Sequence, residues 1–361
     1  MLKIVVDATL INRETTGIGN VTKSLVSGLQ AHNHPSVEFN FLVPKGYKTP
    51  TTLPASNAIF TPVKKWQRYV SASLPVADVW HSSYQHFRYF RKTAYTKQVI
   101  TIHDLNFLYE KRPTKAQKHL RKMQRRIDRA DALVAISEFV ANDIRNHLDI
   151  KNKPLEVIYN AVENLQGRDA QKPAFHKEEK PFFFALGAMR RKKNFHVLVD
   201  MMQKFPEYQL YICGNKDHLD YAHELEARIK QLNLTNVALV GPITAAEKIW
   251  LYQHTEAFLF PSLFEGFGLP ILEAMQFGTP VFTSNMTSLP EVSGGYAFIW
   301  DNFETDYLSK TLREHLPLMQ QDQQKREDMK NYATSFTLER NIHAYVNLYQ
   351  HLAGNINSAT V

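Results

Sequence analysis

Two series of short apolar runs, each alternating with amphipathic stretches and parted by one polar interruption, most constrain what this 361-residue chain can become. The first series reads "KIVVDA", "VEFNFLV", "DVWHSS", "KQVITIHDL", "ADALVAIS" and "LEVIYNAV", with helix-like segments such as "VTKSLVSGLQAH" between several of them. Strands joined through helices build a parallel sheet covered on both faces. A polar stretch containing Pro and Lys, residues 163–180, breaks the series. It restarts at "FFFALG" and continues through "YQLYICG", "VALVG", "EAFLFPS" and "PVFTSN". The expectation is two doubly wound α/β domains, residues 1–162 and 181–335, joined by a linker at 163–180. The last amphipathic segment, 336–354, is expected to pack back toward the first domain. Open parallel sheets bind ligands beyond the carboxyl ends of their strands, so site residues are expected there, in a cleft between facing domains.

Hydrophobic residues make up 44% of the chain and charged residues 22%, as in ordinary globular proteins with sizeable cores. No run reaches the roughly 18 consecutive apolar residues of a membrane-spanning helix. The opening "MLKIVVDATL" meets Asp7 after a short apolar burst and lacks the pattern of a signal peptide. The single cysteine, Cys213, lies within "YQLYICG", so a buried structural thiol is expected and a cytoplasmic location with it. The net charge of +8 does not by itself choose among nucleic acid, anionic lipid and phosphorylated substrates. Its distribution says more: from Lys111 to Arg129, "KRPTKAQKHLRKMQRRIDR" holds nine Lys or Arg against one Asp. Ala116, Leu120, Met123 and Ile127 recur there at near-helical spacing, which predicts a helix with a narrow apolar seam and a broad cationic face. That face is either solvated or docks on an anionic membrane surface or another polyanion. It lacks interleaved aromatics for stacking bases, so no nucleic acid partner is expected.

"SLFEGFGLPILEAMQFGTPVFTSN", Ser262 to Asn285, follows a predicted strand and sets Glu265 and Glu273 around a glycine-flanked aromatic. Gly266 and Gly268 permit sharp turns and leave no side chain between backbone amides and a ligand. Pro270 suits a first helical turn, which puts the Leu269 amide at a helix N-terminus that favours phosphate. Carboxylates accept well from the paired hydroxyls of sugars and riboses. Glu273 is equally explained as a carboxylate favoured by the helix dipole. "GAMRRKKNF" sets Arg190, Arg191, Lys192 and Lys193 in a row after a strand, either a diphosphate clamp or a solvated basic turn. "TTGIGN" places Gly17 and Gly19 between a strand and a helix, without the third glycine of the dinucleotide fingerprint. "VITIHD" ends a strand on His103 and Asp104, where a histidine is either structural or catalytic.

Together these stretches resemble the retaining, family 4-type glycosyltransferases of the two-Rossmann-domain (GT-B) architecture. The likeness runs from "TTGIGNVTKSLVSGL" through "VITIHDLNFLYE", "AISEFVANDI", "VIYNAVE", "LGAMRRKKNFHVLV" and "VALVGPI". It is strongest in "FPSLFEGFGLPILEAMQFGTPVFTSNMTSLPEV", where Glu265 and Glu273 match the family's E-x7-E element. The resemblance implies two Rossmann-like domains facing across a cleft, the N-terminal one on the acceptor side and the C-terminal one holding a nucleotide-sugar donor. It implies that Glu273 takes the ribose hydroxyls. Glu265 would lie beside the transferred sugar, with Gly266, Phe267 and Gly268 offering backbone groups to it. Lys193 and the Leu269 amide would hold the donor diphosphate, with Gly17 and Gly19 in the glycine-containing first loop. His103 would lie near the sugar, so the catalytic expectations rest on Glu265, His103 and Lys193. Lys192 stands where the family often has Arg, which passes the guanidinium role to Arg190 or Arg191 or leaves it with Lys192. Ala161, between Asn160 and Val162, stands where the family usually has Gly and does not easily adopt a positive φ.

Sugar transfer from a nucleotide develops negative charge on the leaving diphosphate, which cations and helix-terminal amides stabilise. The chain contains no Asp-x-Asp pair, so metal-independent transfer without a cofactor is expected. The resemblance implies retention at the anomeric carbon. GDP-mannose is the first expected donor by analogy, with a UDP- or dTDP-linked sugar close behind. The expected acceptor is a saccharide or lipid-linked saccharide in cell-surface polysaccharide or glycoconjugate synthesis. Peripheral contact with the inner face of the membrane through Lys111–Arg129 joins these expectations. Two other readings stay open: a sugar-nucleotide-binding protein with reduced turnover, and a glycoside hydrolase with carboxylates about 5 to 9.5 Å apart.

Overall fold

The computed structural model describes residues 1–13, 17–32, 36–48, 58–177, 180–216 and 219–358. The chain divides into two compact units, Met1–Glu163 together with the segment from Phe336 onward, and Asn164–Ser335. In the first unit, β1 (Leu2–Asp7), β2 (Val37–Pro44), β3 (Ile59–Val63), β4 (Val79–Ser82), β5 (Lys97–Ile102), β6 (Ala132–Ala135) and β7 (Leu155–Val157) form one parallel sheet. Its order is β3-β2-β1-β4-β5-β6-β7. Its helices are α1 (Gly17–Ala31), α2 (Phe107–Glu110), α3 (Pro113–Ile127), α4 (Glu138–His147) and the C-terminal helix Leu338–Ser358.

Alternation along β1 shows how that sheet is covered. Ile4 and Val6 pack with Leu25, Val26 and Leu29 of α1 and with Ile342, Tyr345 and Tyr349 of the C-terminal helix. Val5 points the other way, into a cluster with Leu42, Leu74, Trp80 and Tyr89. A strand buried on both faces reads as a near-continuous apolar run, which is why "KIVVDA" is legible. β3 is not: "IFTPV" carries Pro62, and it survives because it lies at the sheet edge, where a missing N–H breaks no ladder.

Two expectations need correction here. α1 begins at Gly17, so Gly17 and Gly19 lie in its first turn and not in a loop before it. A Cβ on Gly19 would come within 2.0 Å of the Arg13 carbonyl oxygen, so the incoming chain crosses the helix where only glycine fits. Residues 14–16 of the same stretch lie outside the described residues. The C-terminal helix runs on to Ser358 instead of stopping at Gly354.

In the second unit, β8 (Phe182–Leu186), β9 (Gln209–Cys213), β10 (Val237–Gly241), β11 (Ala257–Phe260), β12 (Val281–Ser284) and β13 (Phe298–Trp300) form a parallel sheet. The order is β10-β9-β8-β11-β12-β13. The helices are α5 (Phe195–Met201), α6 (Leu219–Gln231), α7 (Ala245–His254), α8 (Leu269–Met275), α9 (Leu289–Ser293), α10 (Thr305–Gln321) and α11 (Gln323–Thr334). Phe183, Ala185, Leu210, Ile212, Phe282 and Trp300 of the sheet pack with Leu198, Leu225, Leu308 and Leu312 of the helices. Cys213 is fully buried, and burial pushes its thiol pKa far up, so it is inert packing.

The stretch read as a linker packs on this second unit. The Leu165 amide donates to Gln276 Oε1 at 2.8 Å. His176 Nδ1 lies 3.0 Å from the Tyr211 hydroxyl, with its ring against Phe182 and Trp250. Leu165, Phe175 and His176 give a polar-looking segment enough apolar surface to dock. Residues 178 and 179 of that stretch lie outside the described residues. Among the described residues, no helix is long and apolar enough to cross a membrane.

Candidate functional site

Both sheets change winding direction once, between β1 and β4 in the first unit and between β8 and β11 in the second. At such a point neighbouring connections leave to opposite faces, and a crevice opens beyond the carboxyl ends of the strands. In the second unit the segments that follow β8 and β11 carry "GAMRRKKNF" and "PSLFEGFG". Parallel pairing of Phe183 and Phe184 with Ala257 and Phe258 brings the two segments together. They are then tied by the Leu263 amide, which donates to the Lys192 carbonyl at 2.7 Å.

After β8 a short 3-10 turn, Arg191–Lys193, ends on Asn194 in the left-handed region (φ 58°). The turn folds Lys193 back over Gly187, where a Cβ would lie 2.9 Å from the Lys193 Cε. Lys193 Nζ forms an ion pair with Glu265 Oε1 and sits 4.7 Å above the Phe260 ring centroid. Only 13% of the Lys193 side chain and 16% of the Glu265 side chain are exposed, which makes this a largely desolvated pair. The Ser262 hydroxyl donates to Glu265 Oε1 at 2.6 Å. Burial pushes the Glu265 carboxyl up, but Lys193, Lys192 and the two hydrogen bonds outweigh it and hold the group below its ordinary range. Sequence motifs 72 residues apart thus meet as one charge-compensated cluster.

The glycine turn is held from behind. The Glu265 amide donates to Thr287 Oγ1 at 3.1 Å, and the Ser288 hydroxyl lies 3.1 and 2.9 Å from the carbonyls of Glu265 and Phe267. Phe267 is buried, so its ring anchors the turn and leaves Gly266 and Gly268 as backbone. Gly268 has φ 112° and caps α8, and a Cβ there would meet Leu289 at 2.8 Å. Leu269 and Pro270 then open α8, as the sequence predicts.

Glu273, on α8, faces a different pair of donors, which sequence reading missed. Lys248 Nζ donates to Glu273 Oε1 at 2.8 Å and the Tyr252 hydroxyl to Oε2 at 3.0 Å. Lys248 and Tyr252 are four residues apart on α7 and share one helix face, the one signal that could have found them. Burial, with Glu273 beside it, drives the Tyr252 pKa far up, so its hydroxyl stays a donor.

The remaining expected residues make other contacts, each within its own unit. Arg191 NH2 pairs with Glu224 Oε2 at 2.5 Å, and its guanidinium lies 5.7 Å from the Tyr221 ring centroid, so it is engaged by α6. Arg190 is exposed and makes no ion pair among the described residues. His103 belongs to the first unit, just beyond β5. Its Nε2 lies 2.8 Å from the Ser83 carbonyl, which only accepts, so the proton sits on Nε2 and Nδ1 keeps a lone pair in the neutral ring. Burial lowers its pKa against the opposing pull of that carbonyl and Asp104.

Two family descriptions match the chain, "Glycosyltransferase Family 4" over residues 15–164 and "Glycosyl transferases group 1" over residues 167–336. An O-antigen chain mannosyltransferase of Salmonella typhimurium is 30% identical over 199 residues, covering 54% of this chain and 54% of that protein. A serotype-specific mannosyltransferase of Escherichia coli is 31% identical over 218 residues, covering 55% of this chain and 26% of that protein. The chain thus spans about half the length, or less, of these curated relatives. Among solved structures, a sucrose-phosphate synthase from Thermosynechococcus elongatus superimposes with a TM-score of 0.75 at 18% identity, covering 98% of this chain and 100% of that one. Anabaena HepE in complex with UDP and glucose gives 0.69 at 16% identity, covering 97% and 100%. At these identities the structural likeness establishes a shared fold.

Proposed function

Because this chain belongs to the family 4-type glycosyltransferases of the two-Rossmann-domain architecture, we propose that it is a retaining mannosyltransferase. In this reading it moves mannose from GDP-mannose to a saccharide or lipid-linked saccharide during cell-surface polysaccharide synthesis. The carrying observation is the cluster at the second unit's winding reversal, where Lys193 is held on Glu265 beside a glycine turn while α7 holds Glu273 separately. The mannosyltransferase relatives support the choice of sugar, and a UDP- or dTDP-linked sugar is the next candidate.

In this reading Glu273 takes the ribose hydroxyls, and the backbone of Gly266 to Gly268 takes hydroxyls of the transferred sugar. An acceptor hydroxyl attacks the anomeric carbon while the C1–O bond to the diphosphate breaks, and the hydroxyl proton passes to a donor phosphate oxygen on the same face. Lys193, Lys192, Arg190 and the Leu269 amide stabilise the leaving charge. A carboxylate already paired to Lys193 and Ser262 is a poor nucleophile, so Glu265 acts on the sugar through charge and hydrogen bonding. Trapping a glycosyl ester on Glu265 during turnover would overturn that step. The chain has no Asp-x-Asp pair, and among the described residues no three His, Cys, Asp or Glu side chains gather as a metal site. The proposal is metal-free transfer, for which EDTA should leave the rate unchanged.

A thermal-shift panel of nucleoside diphosphates and sugar nucleotides tests the core of the proposal. At 100 times its dissociation constant a ligand stabilises by about 2.7 kcal/mol, an easily measured shift. GDP and GDP-mannose should lead the panel, and free GDP should be released only when acceptor is present. No shift with any nucleotide would end the proposal.

A further inference from the structure

The carboxyl edge of the first sheet opens into a cavity of about 740 Å3 over the reversal between β1 and β4. Its walls come from segments that follow four neighbouring strands: Thr9 and Leu10 after β1, Lys45 after β2, Lys64 and Lys65 after β3, and Tyr84 and His86 to Tyr89 after β4. No motif in the sequence announces it, because its lining residues come from four segments far apart in the chain.

Its charge is one-sided. Among the described residues, Arg13, Lys45, Lys64, Lys65 and Arg88 line it, against Asp7 as the one acidic lining residue. Asp7 does not neutralise them. It is buried, and its carboxylate Oδ1 accepts from the Thr9 amide at 3.0 Å and the Thr9 hydroxyl at 2.6 Å. Lys45, Lys64, Lys65 and Arg88 form no ion pair among the described residues. Cations gathered in a concave site repel one another and focus a positive potential that an anion relieves. Tyr84, Phe87 and Tyr89 supply flat apolar wall beside them. The expected catalytic histidine lies behind this wall: Ser83 lines the cavity, and the Ser83 carbonyl accepts a hydrogen bond from His103 Nε2.

We infer that this cavity is the acceptor site and that the acceptor carries a phosphate or diphosphate group beside the sugar that receives the transfer. The inference rests on the glycosyltransferase reading above. A neutral glycan is recognised by hydroxyl-pairing carboxylates and amides, whereas this cavity offers Lys and Arg. An acceptor of that class places the reaction close to the phosphorylated reducing end of a growing chain, consuming the product of a sugar-phosphate transfer. The phosphate belongs either to a prenyl-type carrier or to a soluble sugar phosphate, and the chemistry of recognition is shared.

Calorimetric titration of the full-length protein, with GDP present in excess to occupy the donor site, tests this. The probes are geranyl diphosphate, glucose 1-phosphate, geraniol and mannose. Wild type should bind one or both phosphorylated probes and neither uncharged one. Lys64→Ala/Lys65→Ala and Arg88→Ala should each weaken that binding by about tenfold or more, while GDP affinity stays within about twofold. Preference for geranyl diphosphate assigns the carrier lipid as the source, and preference for glucose 1-phosphate assigns a soluble acceptor. Wild type that binds neither phosphorylated probe, or cavity variants that bind them as wild type does, would overturn the inference. Loss of GDP binding by wild type would instead strike the donor reading, because titration without GDP still reports on the cavity.

Discussion

Glu273 sits between two donors of different kinds, Lys248 at 2.8 Å and the Tyr252 hydroxyl at 3.0 Å. Lys248 supplies charge to a pair whose side chains are only 21% and 17% exposed, while Tyr252, fully buried, supplies direction. Removing one partner of such a pair leaves the other charge under-solvated, so Lys248→Met should act more strongly than Tyr252→Phe, whose lost hydrogen bond is worth about 1 kcal/mol. If Glu273 holds the ribose equally in ground and transition states, both variants raise the donor KM and leave kcat near wild type. Roughly fivefold is expected for Tyr252→Phe and more than tenfold for Lys248→Met. Steady-state kinetics read this directly, and a fall in kcat at constant KM would remove Glu273 from the ribose. Only half of this arrangement was legible in the sequence. The carboxylates are announced by their glycine turn, but Lys248 and Tyr252 reach Glu273 from another helix, and that contact exists only once β11 has placed α7 and α8 side by side.

α3 shows the opposite case, an element whose buried side the sequence displays openly. Ala116, Met123 and Ile127 are buried and Leu120 is half-buried, the apolar seam that helical spacing predicts. The other side exposes Lys115, Lys118, Arg121, Lys122 and Arg125, none in an ion pair among the described residues. Each cation near an anionic bilayer surface contributes about 1 kcal/mol. Lys118→Glu/Arg121→Glu/Arg125→Glu should therefore lower co-sedimentation with phosphatidylserine-containing vesicles at low salt by at least about a hundredfold in partition coefficient. The wild-type partition should fall as salt rises, because screening shortens the reach of the charges. Equal sedimentation of wild type and variant would leave α3 as a solvated face only. Elements the sequence hides are those whose local chemistry contradicts their role: β3 hides behind Pro62, and the docked stretch after Glu163 behind its polar residues.

At the scale of the whole chain, the first unit is finished by a segment that follows the second unit in sequence. Ile342 reaches α1 where a Cβ on Gly28 would lie 2.5 Å from its Cγ1, and Tyr345 and Tyr349 close the core over β4 and β5. A chain ending at Ser335 would expose that apolar face. It should bind a hydrophobic dye and aggregate on expression, and a soluble monomer with native-like amide protection in β1 and β4 would contradict this. The same helix brings a buried polar chain with it. The Tyr349 hydroxyl lies 2.7 Å from His81 Nδ1, His81 Nε2 lies 2.8 Å from Thr101 Oγ1, and Thr101 Oγ1 lies 3.1 Å from the Tyr345 hydroxyl. In "DVWHSS" His81 is simply one strand residue, since three of its neighbours come from distant segments. Burial, with His103 adding to it, lowers the His81 pKa to about 3, whereas an unfolded histidine titrates near 6.5. Between those values the unfolded chain binds a proton that the folded one refuses, so stability rises with pH across the window. It is fully present above about pH 6.5 and falls by up to roughly tenfold in the folding constant per pH unit below it. His81→Gln keeps a hydrogen-bonding side chain but cannot titrate, so it should be less stable than wild type at neutral pH yet lose less on acidification. Amide exchange in β4 and the C-terminal helix, corrected for intrinsic rates, measures both slopes, and identical slopes would exonerate His81.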